Sequence, residues 1–312
     1  MKKVFIAAAM TMAFGSASAA DIVDMGAGAN VLFTGAGNDR ITSTGTDTID
    51  AGDGDDLIFM SGDGYAKVAG GAGFDRLILA PISSTTAISR NQEQLRIDQR
   101  VIDFNDGLDR IEITDNAAVS RISSVNGASW GATDMFLSAA GLVDVRGATL
   151  IGAESQVSIT AAGVQGTLNT ELAELTVVNR GTAGFNDIVV READSLNVGG
   201  AGLVAAHGAI DVALAGREAL FTLQAGVIAT GSGGAIAIVA DDIDFLSGND
   251  QVSGTGALVL HATSANQNYH IGGAAQTPYG FEYSSLGATG NFEFGLGDLS
   301  ALKTGFSSVT LG

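Results

Sequence analysis

The chain has 312 residues, 46% of them hydrophobic, with 15 Lys and Arg against 34 Asp and Glu, 44 Gly, 2 Pro and no Cys. A net charge of −19 excludes a nucleic-acid binder, which needs clustered cations, and the lack of Cys excludes disulfide frameworks, Cys-zinc sites and thiol catalysis. Abundant glycine without a three-residue period, in so apolar a chain, excludes collagen and disorder and points to an all-β fold of short strands and tight turns.

Residues 1–19 read as a secretory signal peptide: Lys2 and Lys3 form the basic start, Val4 to Phe14 the apolar stretch, and Ala17-Ser18-Ala19 the cleavage site. That stretch is too short to span a bilayer, so cleavage is expected rather than anchoring. Its removal takes the charge to −21 and implies an exported protein, secreted or at the cell surface, that does without disulfides. No transmembrane segment is expected after it. The uncharged run Ala219 to Ala240 contains four Gly and reads as two strands and a turn.

Residues 20–79 hold ten Asp and no Glu, and they repeat. Gly26-x-Gly28-x-Asn30-x-Leu32 recurs as Gly35-x-Gly37-x-Asp39-x-Ile41, Gly45-x-Asp47-x-Ile49 and Gly52-x-Gly54-x-Asp56-x-Ile58. Two further copies are Gly62-x-Gly64-x-Ala66-x-Val68 and Gly71-x-Gly73-x-Asp75-x-Leu77. In each copy glycine lets a tight turn aim its carbonyls freely, the Asp closes the turn with a short carboxylate, and one apolar residue anchors a strand in a core.

This array resembles the RTX, or haemolysin-type, calcium-binding nonapeptide repeat. The resemblance implies a parallel β-roll with two copies per coil and Ca²⁺ held between turns of copies n and n+2. One flank then carries Asp39, Asp56 and Asp75 as ligands, with Gly35, Gly37, Gly52, Gly54, Gly71 and Gly73 freeing the turn carbonyls, and it makes two full sites. The other flank is degraded: Asn30 with Asp47 lacks a charge, and Asp47 with Ala66 lacks a ligand. The ladders Ile41, Ile58, Leu77 and Leu32, Ile49, Val68 are expected to face each other across a thin core. So little apolar burial does not offset the entropy of ordering the segment, so calcium is expected to drive its folding.

Residues 80–115 read as a closing segment, and Val101 to Ile113 resembles what commonly follows such arrays. Across residues 116–312, short alternating strands such as Val157–Thr160, Asp187–Val190, Ala209–Leu214, Leu220–Leu223 and Ala257–Leu260 predict a parallel β-solenoid. Ile236 to Phe245 and Leu299 to Gly312 resemble β-strand repeats of filamentous-haemagglutinin-type surface proteins. That implies a right-handed β-helix acting as adhesin or scaffold, with a cell-surface or matrix polysaccharide or protein as partner.

Catalytic signatures are weak. Gly127-Ala-Ser129-Trp-Gly131 matches the nucleophile-elbow pattern, which requires a strand, turn and helix that this sequence does not predict. Asp241, Asp242 and Asp244 supply an acidic pair for an alternative reading, a polysaccharide lyase or epimerase on a β-helix. The simpler pattern has Asp242 and Asp244 facing solvent while Ile243 and Phe245 point inward. His261 and His270 read as solvated, and Trp130 and Tyr279 as aromatics able to face a sugar. The expectation is a calcium-binding structural or adhesive protein and no enzyme.

Overall fold

A computed structural model describes residues 2–6, 11–13, 20–61, 65–82, 87–104, 107–124, 128–182, 184–231, 233–264, 268–271 and 291–312. Among the described residues 60% are strand and 2% helix, and the parallel sheets form a β-solenoid of about ten turns. Two compact units divide it: residues 1–141 with 151–156, and residues 142–150 with 157–312. The strand Thr149–Ala161 is shared between them.

In the first unit the described repeats fold as a turn followed by a strand, because the apolar residue two places after the turn-closing position can be buried only in extended chain, while the Gly62-x-Gly64 turn of the fifth repeat lies outside the described residues. Strands Asp21–Met25, Arg40–Ser43, Leu57–Met60, Arg76–Ile82, Arg110–Asp115 and Asp134–Ala139 pair in parallel, each with the next. Their register lines up Val23, Ile41, Ile58, Leu77, Ile111 and Met135, all fully buried. A second parallel sheet holds Val31–Phe33, Thr48–Asp53 and Tyr65–Ala72, aligning Leu32, Ile49 and Val68 in the core. The two apolar ladders therefore belong to different sheets, one strand of each per coil. Within the segment read as a signal peptide, Lys2–Ile6 pairs with Asp21–Met25 and Thr11–Ala13 with Val31–Phe33.

Residues 80–115 contain a coil with an insertion. Ala87–Arg90, Gln94–Ile97 and Arg100–Phe104 form an antiparallel meander. Its last strand is parallel to Tyr65–Ala72 and its first is parallel to Val119–Ser124. The second sheet thus receives three strands where other coils give one. The chain then returns to the first sheet at Arg110–Asp115.

The second unit uses larger coils. One column runs through Ile188–Glu192, Ile210–Leu214, Ile236–Val239, Ala257–His261 and Ser308–Leu311. The two halves of Leu196–Ala205, which pair with Leu168–Asn179 on one side, belong to two more columns, continued by Leu220–Leu223 with Asp242–Phe245 and by Val227–Thr230 with Val252–Ser253. Phe221, Phe245 and Phe294 meet edge to face, with ring centroids 6.5 and 6.0 Å apart. The stretch from Leu299 corrects one strand expectation: Leu296–Ala301 is a short helix, and only Ser308–Leu311 is strand. Asp298 is the cause, since its carboxylate accepts the N–H groups of Gly295 (2.8 Å) and Phe245 (2.8 Å), tying the helix start to the neighbouring strand. Among the described residues no helix is long and apolar enough to cross a membrane.

Candidate metal centre

The turns of the first flank stack directly on one another. Gly35, Gly52 and Gly71 lie in one column and Gly37, Gly54 and Gly73 in a second, and all six have positive φ. The stacking is close enough to require glycine at Gly52 (φ 95°) and Gly71 (φ 113°). A β-carbon on either would sit 1.8 Å from the carbonyl oxygen of the glycine one coil earlier.

Each turn ends in an aspartate, and the aspartates form a ladder. Asp39 Oδ1 accepts the N–H of Asp21 (2.6 Å), Asp56 Oδ1 that of Asp39 (2.7 Å), and Asp75 Oδ1 that of Asp56 (2.9 Å). The N–H of Asp75 donates in turn to Asp109 Oδ2 at 2.7 Å. Asp39, Asp56 and Asp75 are at most 2% exposed, and the Oδ2 of each finds no hydrogen-bond donor among the described residues. A buried carboxylate oxygen without a donor is strongly disfavoured. Burial accordingly pushes Asp56 up to about 7 and Asp75 up to about 6. Neighbouring carboxylates contribute to both rises, Asp75 and Asp39 to that of Asp56 and Asp109 to that of Asp75, against the lowering pull of the backbone amide each carboxylate accepts.

The donor set fits a hard divalent cation. Carboxylate oxygens without protons and turn carbonyls are the ligands Ca²⁺ takes, six to eight at a time. At the last turn two of them converge: a β-carbon on Gly70 would lie 2.0 Å from the Gly107 carbonyl oxygen and 2.7 Å from Asp75 Oδ2. No group of three or more Asp, Glu or His converges on one point among the described residues. The remaining ligands of any cation here would be carbonyls and water.

The second flank is built differently. Asp47 Oδ1 accepts both the backbone N–H and the side-chain amide of Asn30 (2.9 Å each), and its Oδ2 accepts the Ser43 hydroxyl at 2.5 Å. Protein donors thus occupy both oxygens, and the next coil offers the buried methyl of Ala66. The structure brings Asn30 and Asp47 together as a hydrogen-bonded pair.

Two aspartates of the ladder lie outside the six repeats recognised in the sequence. Asp21 precedes the first and has no glycine pair before it. Asp109 lies 34 residues beyond Asp75, yet Gly107-x-Asp109-x-Ile111 has the same pattern, and a β-carbon on Gly107 (φ 89°) would lie 2.1 Å from the Gly71 carbonyl oxygen. The meander at 87–104 hides it by breaking the spacing of 17 to 19 residues.

Elsewhere the catalytic signatures have structural partners. Trp130 is fully buried against the Arg90 guanidinium, 5.1 Å from its ring, so it does not present a face to a sugar. Ser129 sits in irregular chain, with its oxygen accepting the Gly131 N–H at 3.1 Å, and no helix follows. Asp241 accepts backbone N–H groups on both oxygens, from Ser264 (3.0 Å) and Glu218 (2.8 Å). Ile243 and Phe245 point inward between Asp242 and Asp244. His261 Nδ1 lies 2.8 Å from the Ala262 carbonyl, while Tyr279 and the side chain of His270 fall outside the described residues. No family model, curated protein or solved structure matches the chain.

Proposed function

We propose that this is an exported structural or adhesive protein whose N-terminal roll binds calcium along the column of Asp39, Asp56 and Asp75. One observation carries the reading: three buried carboxylates in register, each with one oxygen fixed by a backbone amide and the other without a donor. The RTX-like array, the signal-like N-terminus and the absence of Cys agree with it. A cation in the column offsets mutual repulsion and desolvation at once, so binding energy becomes folding energy. The repetitive second unit suits a scaffold that presents a surface to a matrix or cell-wall partner.

Isothermal titration of calcium into the full chain, with thermal unfolding followed by circular dichroism, tests this. Two or more bound ions and a higher unfolding temperature than in chelator are expected. No binding at millimolar calcium, or an unfolding temperature indifferent to it, would overturn the proposal.

A further inference from the structure

The carboxylate ladder continues past the repeats into the coil that carries the meander. Asp75 and Asp109 are joined three ways: the Asp75 N–H donates to Asp109 Oδ2 (2.7 Å), and the N–H groups of Asp109 (3.0 Å) and Arg110 (3.1 Å) donate to the Asp75 carbonyl. The Asp75 side chain is fully buried, and its Oδ2 lacks a donor. That oxygen and the Gly107 carbonyl crowd the same side of Gly70. The nearby cations are engaged elsewhere, Arg76 with Glu112 at 2.5 Å and Arg110 with Asp134 at 3.3 Å. Gly107 and Asp109 also line a cleft of about 410 Å³, so water can reach these two residues and complete a coordination shell from their side.

We infer that Asp75, Asp109 and the Gly107 carbonyl hold a further calcium ion, which ties the coil containing the 87–104 meander onto the roll. The inference rests on the calcium reading above and extends it to residues outside the repeat array. A site with carbonyl ligands and open water positions suits Ca²⁺ better than Mg²⁺, which demands near-ideal octahedral geometry. Glu93 and Phe104 of the meander line the same cleft, so the ion also fixes one wall of that cleft against the other.

Calcium titration of the full chain and of two variants, Asp109→Asn and Asp56→Asn, separates the two claims. Asp109→Asn keeps an oxygen for the Asp75 N–H and is expected to lower the stoichiometry by one. Asp56→Asn, whose carboxylate is shared by two pairs, should lower it by two. Wild-type stoichiometry in Asp109→Asn, with fewer ions in Asp56→Asn, would overturn this inference alone; a wild type that binds no calcium would overturn both readings. Hydrogen–deuterium exchange on the wild type needs no variant to fold. Calcium should slow exchange across 107–115 as well as 39–79, and protection that stops before residue 107 would sink the inference.

Discussion

A carboxylate that gives one oxygen to a backbone amide and leaves the other without a donor is stable in a protein interior only when protonated or bound to a cation. Asp56, at about 7, and Asp75, at about 6, are raised above the unfolded value near ~3.9, so in chelator the folded chain holds more protons than the unfolded one. The stability they contribute is full below about pH 4 and is lost as pH rises through 6 and 7. Thermal unfolding in chelator should therefore come at higher temperature at pH 5 than at pH 8. Asp56→Asn should narrow that gap and stabilise the calcium-free protein at pH 8 by on the order of 1–2 kcal/mol, after allowance for solvent screening. In saturating calcium the same substitution should destabilise. A chelator profile that rises with pH would contradict the assignment. The Asp39, Asp56 and Asp75 register was legible because residue type and spacing repeat together. What each oxygen bonds was not legible, since a sequence does not say that Asn30 and Ser43 saturate Asp47 while Asp56 is left open.

At the scale of elements, glycine stacking sets the coil. Gly52→Ala places a methyl 1.8 Å from the Gly35 carbonyl at φ 95° and should cost about 2–4 kcal/mol in chemical denaturation. Gly297, in the short helix with nothing within 4 Å of its would-be β-carbon, is the counterpart. Gly297→Ala should be neutral or stabilise by up to ~1 kcal/mol. Equal losses at both positions would refute the stacking argument. The strands of the roll were readable from the single apolar residue after each Asp. The meander was less so, because its alternating pattern is the same whether a strand pairs parallel within a coil or antiparallel within an insertion. The helix at Leu296–Ala301 escaped because it is only six residues long with Gly297 inside it, and only Asp298, reaching Phe245 across 53 residues, marks its start.

At the scale of the molecule, the two units pair strands by one rule in coils of two sizes. The first repeats Ile41, Ile58 and Leu77 at intervals of 17 and 19 residues with one strand per sheet. The second repeats Ile188, Ile210, Ile236 and Leu258 at 22, 26 and 22 with three columns. A net charge of −19 bears on both. Monovalent salt should raise the chelator unfolding temperature by screening that self-repulsion, with a Debye length of ~8 Å at physiological strength, and should weaken calcium binding over the same range. A calcium affinity that does not fall between low and physiological salt would argue that the ion does not sit among the carboxylates. The parallel solenoid was readable from strand recurrence, whereas the boundary between coil sizes was not, because Leu, Ile and Val serve both.

The ladder also has a direction. Every amide in it, from Asp21 to Asp75, is satisfied by a carboxylate that comes later in the chain. A polypeptide emerging N-terminus first therefore cannot finish any turn until the next has been delivered, and the wait, 17 to 19 residues at the earlier steps, becomes 34 at the final one. Assembly of the column is thus a one-way zipper whose last tooth is Asp109.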